Sequence, residues 1–161
     1  TGYVLPAQLA GFERLMEEVC PDPKLGVSVG YSSARAEATL YLYNNGDDAI
    51  ADAAITTQLE QAVQEVYRSE QEGHYSNVVC IAKDSAFLIP SSERVPVQHA
   101  CLTYVGLQGE ELQSHIYVTA RRKYFIKLRI SWPAEATDDD AEQIGQFLSA
   151  LALLLDGSKA L

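Results

Sequence analysis

Five basic residues lie close together near the end of the chain, and they are the side chains best suited to bind an anion. They are Arg121, Arg122, Lys123, Lys127 and Arg129, five of the 12 basic residues in a chain of net charge −10. A guanidinium group can hold a carboxylate or phosphate through two parallel hydrogen bonds. The cluster therefore suggests an anion-binding or partner-docking site. The alternative is a basic strip whose charges pair with the acids of a neighbouring helix.

A second candidate for chemistry is the serine in Gly26-Val27-Ser28-Val29-Gly30. This string matches G-x-S-x-G, the pattern in which α/β-hydrolases place a nucleophilic serine at a sharp turn from a strand into a helix. Here valines flank the serine, and a polar loop and another strand follow it, so an ordinary strand is favoured. A small serine hydrolase using Ser28 remains the alternative function, and it needs a histidine within ~3 Å of that serine.

The histidines and cysteines do not have the spacing of a metal site. The histidines are His74, His99 and His115, and the cysteines are Cys20, Cys80 and Cys101. No two of these residues have the short spacing that zinc sites use, and no glycine-rich phosphate loop is present, so we expect no metal and no cofactor. A bridge between Cys80 and Cys101 is conceivable, but buried free thiols are favoured.

The charge balance limits the partners that the protein can have. The chain carries 22 acidic residues against 12 basic ones. A surface of that sign repels phosphate backbones and anionic lipids, so nucleic acid is excluded as a partner. The longest apolar run, 150–155, is far shorter than the ~20 residues of a membrane-spanning helix. A protein partner or a small anionic ligand remains possible, and the sequence leaves the oligomeric state open.

Apolar periodicity predicts two helices, at about 56–72 and 138–156. In the first, Thr57 and Glu60 have the spacing of a capping box, and Gly73 is placed to end the helix. In the second, Thr137 is the expected N-cap, and three aspartates load the first turn, where the helix dipole favours negative charge.

Most of the remaining chain alternates between apolar and polar residues and therefore predicts strands. The predicted strands are 25–32, 39–44, 77–83, 86–89, 97–106, 111–120 and 125–132. Residues 12–20 fit either a strand or a helix. The length of 161 residues suits a single domain, 1–161. The predicted fold class is α+β, with an antiparallel sheet of about six to eight strands packed by two main helices.

The last predicted hairpin places the candidate site. If the apolar positions of both of its strands share one face, the connecting loop must have an odd length, and we expect three residues, 122–124. That register puts Lys127 and Arg129 on the same face as His115 and Tyr117. These four residues are the predicted ligand-binding set, and no catalytic residue is assigned.

Three segments resemble a group of small exported bacterial proteins of unassigned function. They are Leu25-Gly26-Val27-Ser28-Val29-Gly30-Tyr31, Thr39-Leu40-Tyr41-Leu42-Tyr43 and Phe125-Ile126-Lys127-Leu128-Arg129-Ile130-Ser131-Trp132-Pro133. The architecture also resembles the PsbP-like fold, an antiparallel sheet flanked by helices. The resemblance to the exported proteins implies a strand at 12–20, and the PsbP-like resemblance implies an accessory role without catalysis. Neither assigns a catalytic residue.

The expected function is therefore a non-catalytic accessory or binding domain of the bacterial cell envelope. The first residue is Thr1, and a removed export signal or a trimmed fragment would each explain it. A periplasmic or envelope location is expected, although a cytoplasmic one stays open. A structural or assembly subunit is a third possibility.

Overall fold

The computed structural model of the protein describes residues 3–157. Eight strands form one antiparallel sheet in the order β1-β2-β3-β4-β8-β7-β6-β5. The strands are β1 Gln8–Leu9, β2 Phe12–Val19, β3 Val27–Ser32, β4 Glu37–Tyr43, β5 Ser76–Ile89, β6 Arg94–Val105, β7 Glu111–Arg121 and β8 Tyr124–Pro133. The two helices are α1 Asp52–Gln71 and α2 Asp138–Leu155. The predicted fold class is confirmed.

Each helix covers one face of the sheet, and the two faces have separate cores. The α1 face carries Leu59 and Val63 of the helix against Leu102 and Ile116 of the sheet. The α2 face carries Phe147 and Leu151 against strand residues that include Phe12, Leu40 and Leu128. Because both faces are buried, apolar residues of neighbouring strands can belong to different cores.

Helix α1 begins earlier than predicted. The capping box expected at Thr57 is absent, because the Thr57 hydroxyl donates to the carbonyl of Ala53 within the helix. The extended residue before the helix is Ala51, which offers no capping side chain. Gly73 follows the helix end with φ 80°, in the left-handed region where glycine is favoured.

Helix α2 begins where the sequence predicts. The Thr137 hydroxyl accepts a hydrogen bond from the Asp140 amide, and the Asp140 carboxylate accepts one from the Thr137 amide. These reciprocal bonds form a capping box. Hydrogen bonding to the Thr137 backbone is the main cause of a lowered pKa for Asp140.

The strand pairing in the sheet decides two predictions, the ambiguous segment 12–20 and the pair of short strands at 77–83 and 86–89. Residues 12–19 form strand β2, paired antiparallel with β3. The two short strands predicted at 77–83 and 86–89 are one continuous strand, β5, whose register shifts between Cys80 and Ala82. A bulge absorbs one residue there, so simple alternation along the strand is broken.

The predicted register of the last hairpin is wrong. Arg121 pairs with Tyr124, so the loop has two residues, Arg122 and Lys123, with φ of 48° and 64°. Two left-handed residues make the tight turn that matches the twist of a hairpin. The shift of one residue moves every side chain of β8 to the other face relative to β7.

Within residues 3–157, no helix combines the length and apolarity that crossing a membrane requires.

Candidate functional site

The structure divides the four predicted ligand-binding residues between the two faces of the sheet. Arg129 pairs with Ile116, so Arg129 and Lys127 lie on the α1 face. Tyr117 pairs with Leu128, and both belong to the α2 face, as does His115. The predicted single site is therefore incorrect in its geometry. The cause is the two-residue loop, together with a sheet that buries apolar residues on both faces.

Arg129 lines an open groove on the α1 face, in a part of the sheet that α1 leaves uncovered. The groove has a volume of about 670 Å³. Its floor includes Thr39, Tyr41, Arg129 and Ser131. Its walls come from three connections, the β3–β4 turn, the β6–β7 loop and the chain that follows α1.

Four hydroxyl residues surround the Arg129 guanidinium, three on the sheet and one after α1. We call Arg129 and these four residues the Arg129 cluster. Nε donates to the Ser114 hydroxyl at 3.2 Å, and Nη2 donates to the hydroxyls of Tyr104 at 3.1 Å and Tyr75 at 3.4 Å. Ser131 completes the cluster by donating to Ser114 at 2.8 Å and accepting from Tyr104 at 3.2 Å. Each of these partners is a neutral hydroxyl.

The Arg129 cluster has hydrogen-bond donors to spare. A guanidinium has five N–H groups, and the three bonds above leave both hydrogens of Nη1 without a partner within residues 3–157. Nη1 is also not among the buried unsatisfied atoms, so it is open to solvent. The Tyr75 hydroxyl accepts from Arg129 but donates no bond to the described residues. Three donors are thus available on the floor of the groove.

Arg129 remains a cation without a counter-ion in the described part of the chain. Within residues 3–157, no carboxylate lies within 4.0 Å of its guanidinium. Burial works against the charge, but Tyr104 and Tyr75 favour it, and the net effect raises the pKa of Arg129 above its ordinary value. A half-buried, permanently charged and incompletely bonded guanidinium attracts an anion.

Lys127, the second predicted residue on this face, is already paired. Its Nζ lies 3.1 Å from the carboxylate of Glu65 on α1 and 4.5 Å from the centroid of the Tyr41 ring. Its side chain is only 14% exposed. For Lys127, therefore, the alternative drawn from the sequence holds, because its charge is neutralised by an acid of the neighbouring helix.

The predicted residues on the α2 face belong to a hydrogen-bonded row that we call the histidine chain. His99 Nδ1 lies 2.8 Å from the carboxylate of Asp84, and His99 Nε2 lies 2.8 Å from His115 Nδ1. His115 Nε2 is 2.9 Å from Gln113 Nε2 and 3.4 Å from Cys101 Sγ. The rings stack across the strands, with His115 parallel to Trp132 at 4.8 Å and His99 over Tyr117 at 4.9 Å.

One consistent direction of hydrogen bonds satisfies all four ring nitrogens of this row. Gln113 donates to His115, His115 donates to His99, and His99 donates to Asp84. Burial and the neighbouring His99 lower the pKa of His115 to about 4, and burial raises the pKas of Cys101 and, to about 12, of Tyr117. Neither a Cys101 thiolate nor a His115 imidazolium is favoured at neutral pH, and neither of the two larger cavities is lined by His99 or His115.

Ser28 does not have the surroundings of a catalytic nucleophile. It lies inside β3 on the α1 face, opposite Tyr41, while His99 and His115 lie on the other face, with three strand spacings of ~4.8 Å separating β3 from β7. Within residues 3–157, no hydrogen bond joins Ser28 to a histidine. Packing explains both glycines of the motif. A side chain at Gly26 would collide with the Leu42 carbonyl, and one at Gly30 would press against the Met16 side chain.

The cysteines and acids offer no further centre in the described range. Cys20, Cys80 and Cys101 are free thiols. Cys80 packs on the α1 core whereas Cys101 points to His115 on the α2 face, so the sheet separates them. Across residues 3–157, no group of three or more His, Cys, Asp or Glu is arranged to hold a metal ion.

Sequence reasoning missed the partners of Arg129. Tyr75 follows α1, Tyr104 lies on β6, and Ser114 lies on β7, far from one another in sequence. One signal was present: Ser114 interrupts the apolar series Leu112, Ile116 and Val118 on one face of its strand. Ser114 is fully buried, so it required a polar partner.

Comparison with known proteins identifies the fold and nothing finer. No known family and no curated protein matches the sequence. Among solved structures, the solution structure of cyanobacterial PsbP (CyanoP) from Synechocystis sp. PCC 6803 superposes with a TM-score of 0.52 and 11% identity, covering 88% of this chain and 85% of that one. A mutant of protein Mog1 superposes with a TM-score of 0.41 and 12% identity, covering 96% and 85%. The first likeness supports a PsbP-like α+β fold, and the second is too loose to support an inference.

Proposed function

We propose that this protein is a binding or accessory domain without catalytic activity, which holds a small anion over Arg129 in the groove of the α1 face. One observation carries the proposal. Arg129 is a half-buried cation in an open groove, and within residues 3–157 it has neutral hydroxyl partners and no carboxylate. A hydrogen bond to a charged group contributes about 1.5–3 kcal/mol, so an anion that takes the free donors gains binding energy.

The neighbouring cation on this face does not compete for the anion. Lys127 is neutralised by Glu65 and carries no part of the proposal. His115 and Tyr117 lie on the opposite face and are left out of the site as well. Tyr75 and Tyr104 take their place, because their hydroxyls lie beside the guanidinium.

A hydrolase using Ser28 is not supported by the surroundings of that serine. A nucleophilic serine needs a general base within hydrogen-bond reach. The strand setting of Ser28 and its distance from the histidine chain favour a structural role. A binding domain therefore accounts better for the polar residues of both faces.

The cell envelope is the location that we propose for this activity. The support is the resemblance of its strand sequences to small exported bacterial proteins. Fractionation of the source cells, followed by mass spectrometry, tests it. The protein is expected in the envelope or periplasmic fraction, and recovery in the cytoplasmic fraction alone contradicts the proposal.

Titration with acetate and with inorganic phosphate tests anion binding itself. The Trp132 ring stacks on His115 on the other face, so backbone amide shifts in an NMR titration report on occupancy instead. At about pH 8, where His115 is neutral, we expect saturable shifts centred on Tyr104, Ser114 and Arg129.

Two variants on the same strand and face provide the control. Arg129→Gln is expected to abolish the response, whereas Lys127→Gln, which also removes one positive charge, is expected to retain it. A response that Arg129→Gln leaves intact, or the lack of any response to either anion, overturns the proposal.

A further inference from the structure

We propose that the natural ligand of the Arg129 groove is an aromatic monocarboxylate, an inference that rests on the proposed function. The carboxylate would lie against Arg129 and Tyr75, and the ring would lie along the aromatic wall of the groove. Three properties of the groove lead to this class of ligand.

The number of free donors fits a carboxylate. Two N–H groups of Arg129 Nη1 and the hydroxyl of Tyr75 are available, and the other three N–H groups of Arg129 are bonded to protein hydroxyls. Two carboxylate oxygens can accept all three free hydrogens. A phosphate has more oxygens and more charge to satisfy, and the described residues supply no further cation beside Arg129 for that purpose.

The charges that line the groove favour a single negative charge. Glu37 and Glu110 both line it. Arg35 lines it as well, but the Arg35 guanidinium lies 3.0 Å from the carboxylate of Asp140. His74 lines it too, with its ring 3.7 Å from the carboxylate of Glu72. Among the described lining residues, a ligand with two negative charges would therefore meet one cation without an acidic partner and two carboxylates, in a chain of net charge −10. Like charges at close range disfavour that ligand.

The walls of the groove are aromatic and apolar. Tyr75 and Tyr104 lie in contact with ring centroids 4.3 Å apart, and Tyr41 also lines the groove. Leu107 at the rim is 77% exposed. Aromatic rings pair favourably with one another in tilted and offset arrangements. A ring attached to the carboxylate would cover this apolar surface and exclude water from the ion pair.

Calorimetric titration with four probes separates the parts of this inference. The probes are 2-naphthoate, its neutral analogue 2-naphthamide, acetate and inorganic phosphate. We expect 2-naphthoate to bind at least roughly tenfold more tightly than acetate or phosphate, because the ring buries apolar surface. We expect no measurable binding of 2-naphthamide, because it lacks the charge.

Titrating substituted proteins with 2-naphthoate tests whether the binding occurs in the groove. Arg129→Gln is expected to abolish binding of 2-naphthoate, and Lys127→Gln is expected to leave it unchanged. Because Arg129→Gln removes a half-buried group, Tyr75→Phe serves as a milder second variant that keeps the ring and removes one free donor. We expect it to weaken 2-naphthoate binding while the denaturation midpoint stays unchanged.

The outcomes distinguish this inference from the proposed function. If phosphate or acetate binds at Arg129 as tightly as 2-naphthoate, the aromatic monocarboxylate is wrong while anion binding stands. If 2-naphthamide binds as tightly as 2-naphthoate, the ring alone drives binding, and the role of Arg129 fails. If no anion binds, both proposals fail together.

Discussion

The two faces of the sheet carry polar clusters that share strands β6 and β7, and the clusters differ in how completely they are hydrogen-bonded. In the histidine chain, each ring nitrogen has a partner at 2.8–2.9 Å. In the Arg129 cluster, Nη1 and the Tyr75 hydroxyl have donors that no described residue accepts. The histidine chain therefore resembles a structural network, whereas the Arg129 cluster keeps donors that can bond to a further group.

This difference shows that unusual side chains alone do not mark a functional site. The histidine chain contains an aspartate, two histidines and a thiol, which are the groups of several catalytic centres. Its members donate and accept hydrogen bonds among themselves, and burial keeps His115 and Cys101 neutral. Arginine, tyrosine and serine are less suggestive in sequence, but here they combine a permanent charge, an open groove and free donors.

Removing the charge of Arg129 is expected to have the largest effect on binding. Arg129→Gln should weaken binding of 2-naphthoate by roughly 30-fold or more, since a charge-assisted hydrogen bond is lost. Isothermal titration measures the change. His115→Phe alters the other face and serves as the control, which should bind 2-naphthoate like the wild type. Equal losses in both variants would show that the two clusters are not independent.

Breaking the histidine chain is expected to cost stability and spare binding. His115→Phe keeps a ring in the stack but leaves His99 Nε2 without a partner and Gln113 Nε2 with only the Cys101 thiol at 3.6 Å, which should destabilise the protein by about 1–3 kcal/mol. Urea denaturation measures the free energy of unfolding. A variant as stable as the wild type would mean that the histidine chain contributes nothing to the fold.

The same variant should change the pH dependence of stability. The pKa of His115 is about 4 in the folded protein, against an ordinary value of 6.5, so the unfolded chain takes up the proton first as the pH falls. The wild type is then expected to lose roughly 1–3 kcal/mol between these two pH values, after allowance for partial solvent screening. His115→Phe lacks this loss, so its stability deficit should shrink on acidification. A deficit that stays constant with pH would contradict the assignment.

Removing one free donor from the groove is expected to have a smaller effect. Tyr75→Phe should weaken 2-naphthoate binding by about 3- to 10-fold, the value of one net hydrogen bond. Stability should not change, because the ring still packs against Tyr104. Unaltered affinity would remove Tyr75 from the site and leave Arg129 as its only donor.

The smallest effect is expected at the paired lysine. Lys127→Gln breaks the ion pair with Glu65, whose side chain is 57% exposed, so the loss of stability should be about 0.5–1 kcal/mol. Binding of 2-naphthoate should stay the same. Weaker binding in this variant would show that the groove responds to the overall charge of the face instead of to Arg129 itself.

The fold class could be predicted from the sequence, because it depends on patterns that a single chain displays. The apolar stripe of α2, its Thr137 cap and the alternation in β7 and β8 all predicted their elements. The start of α1 could not be predicted, because Ala51 carries no capping side chain and Thr57 mimics a cap. The continuity of β5 likewise has no marker in the sequence: Asp84 and Ser85 pair with His99 and Gln98 and so join 77–83 to 86–89.

The arrangement of the candidate site was predicted only in part, and the reason lies in the last hairpin. Lys127 and Arg129 share one face of the sheet, as predicted, but the β7 residues expected beside them lie on the other face, because alternation does not tell which face belongs to which helix. The turn at Arg122 and Lys123 requires two left-handed residues, and neither is glycine or asparagine. Without that turn signal, the register slipped by one residue, and His115 and Tyr117 were assigned to the wrong face.

The most direct test of the account is the NMR signal of the Arg129 guanidinium itself. With side-chain nitrogens labelled and signals assigned by Arg129→Lys, titration with 2-naphthoate should shift the Nη signals of Arg129 saturably and leave in place those of Arg14, which pairs with Glu17 outside the groove. Slowed exchange of the Nη1 hydrogens with water is expected at saturation. If the Arg129 signals do not move while the ligand binds, the free donors of this cluster are not the anion site, and the central claim is wrong.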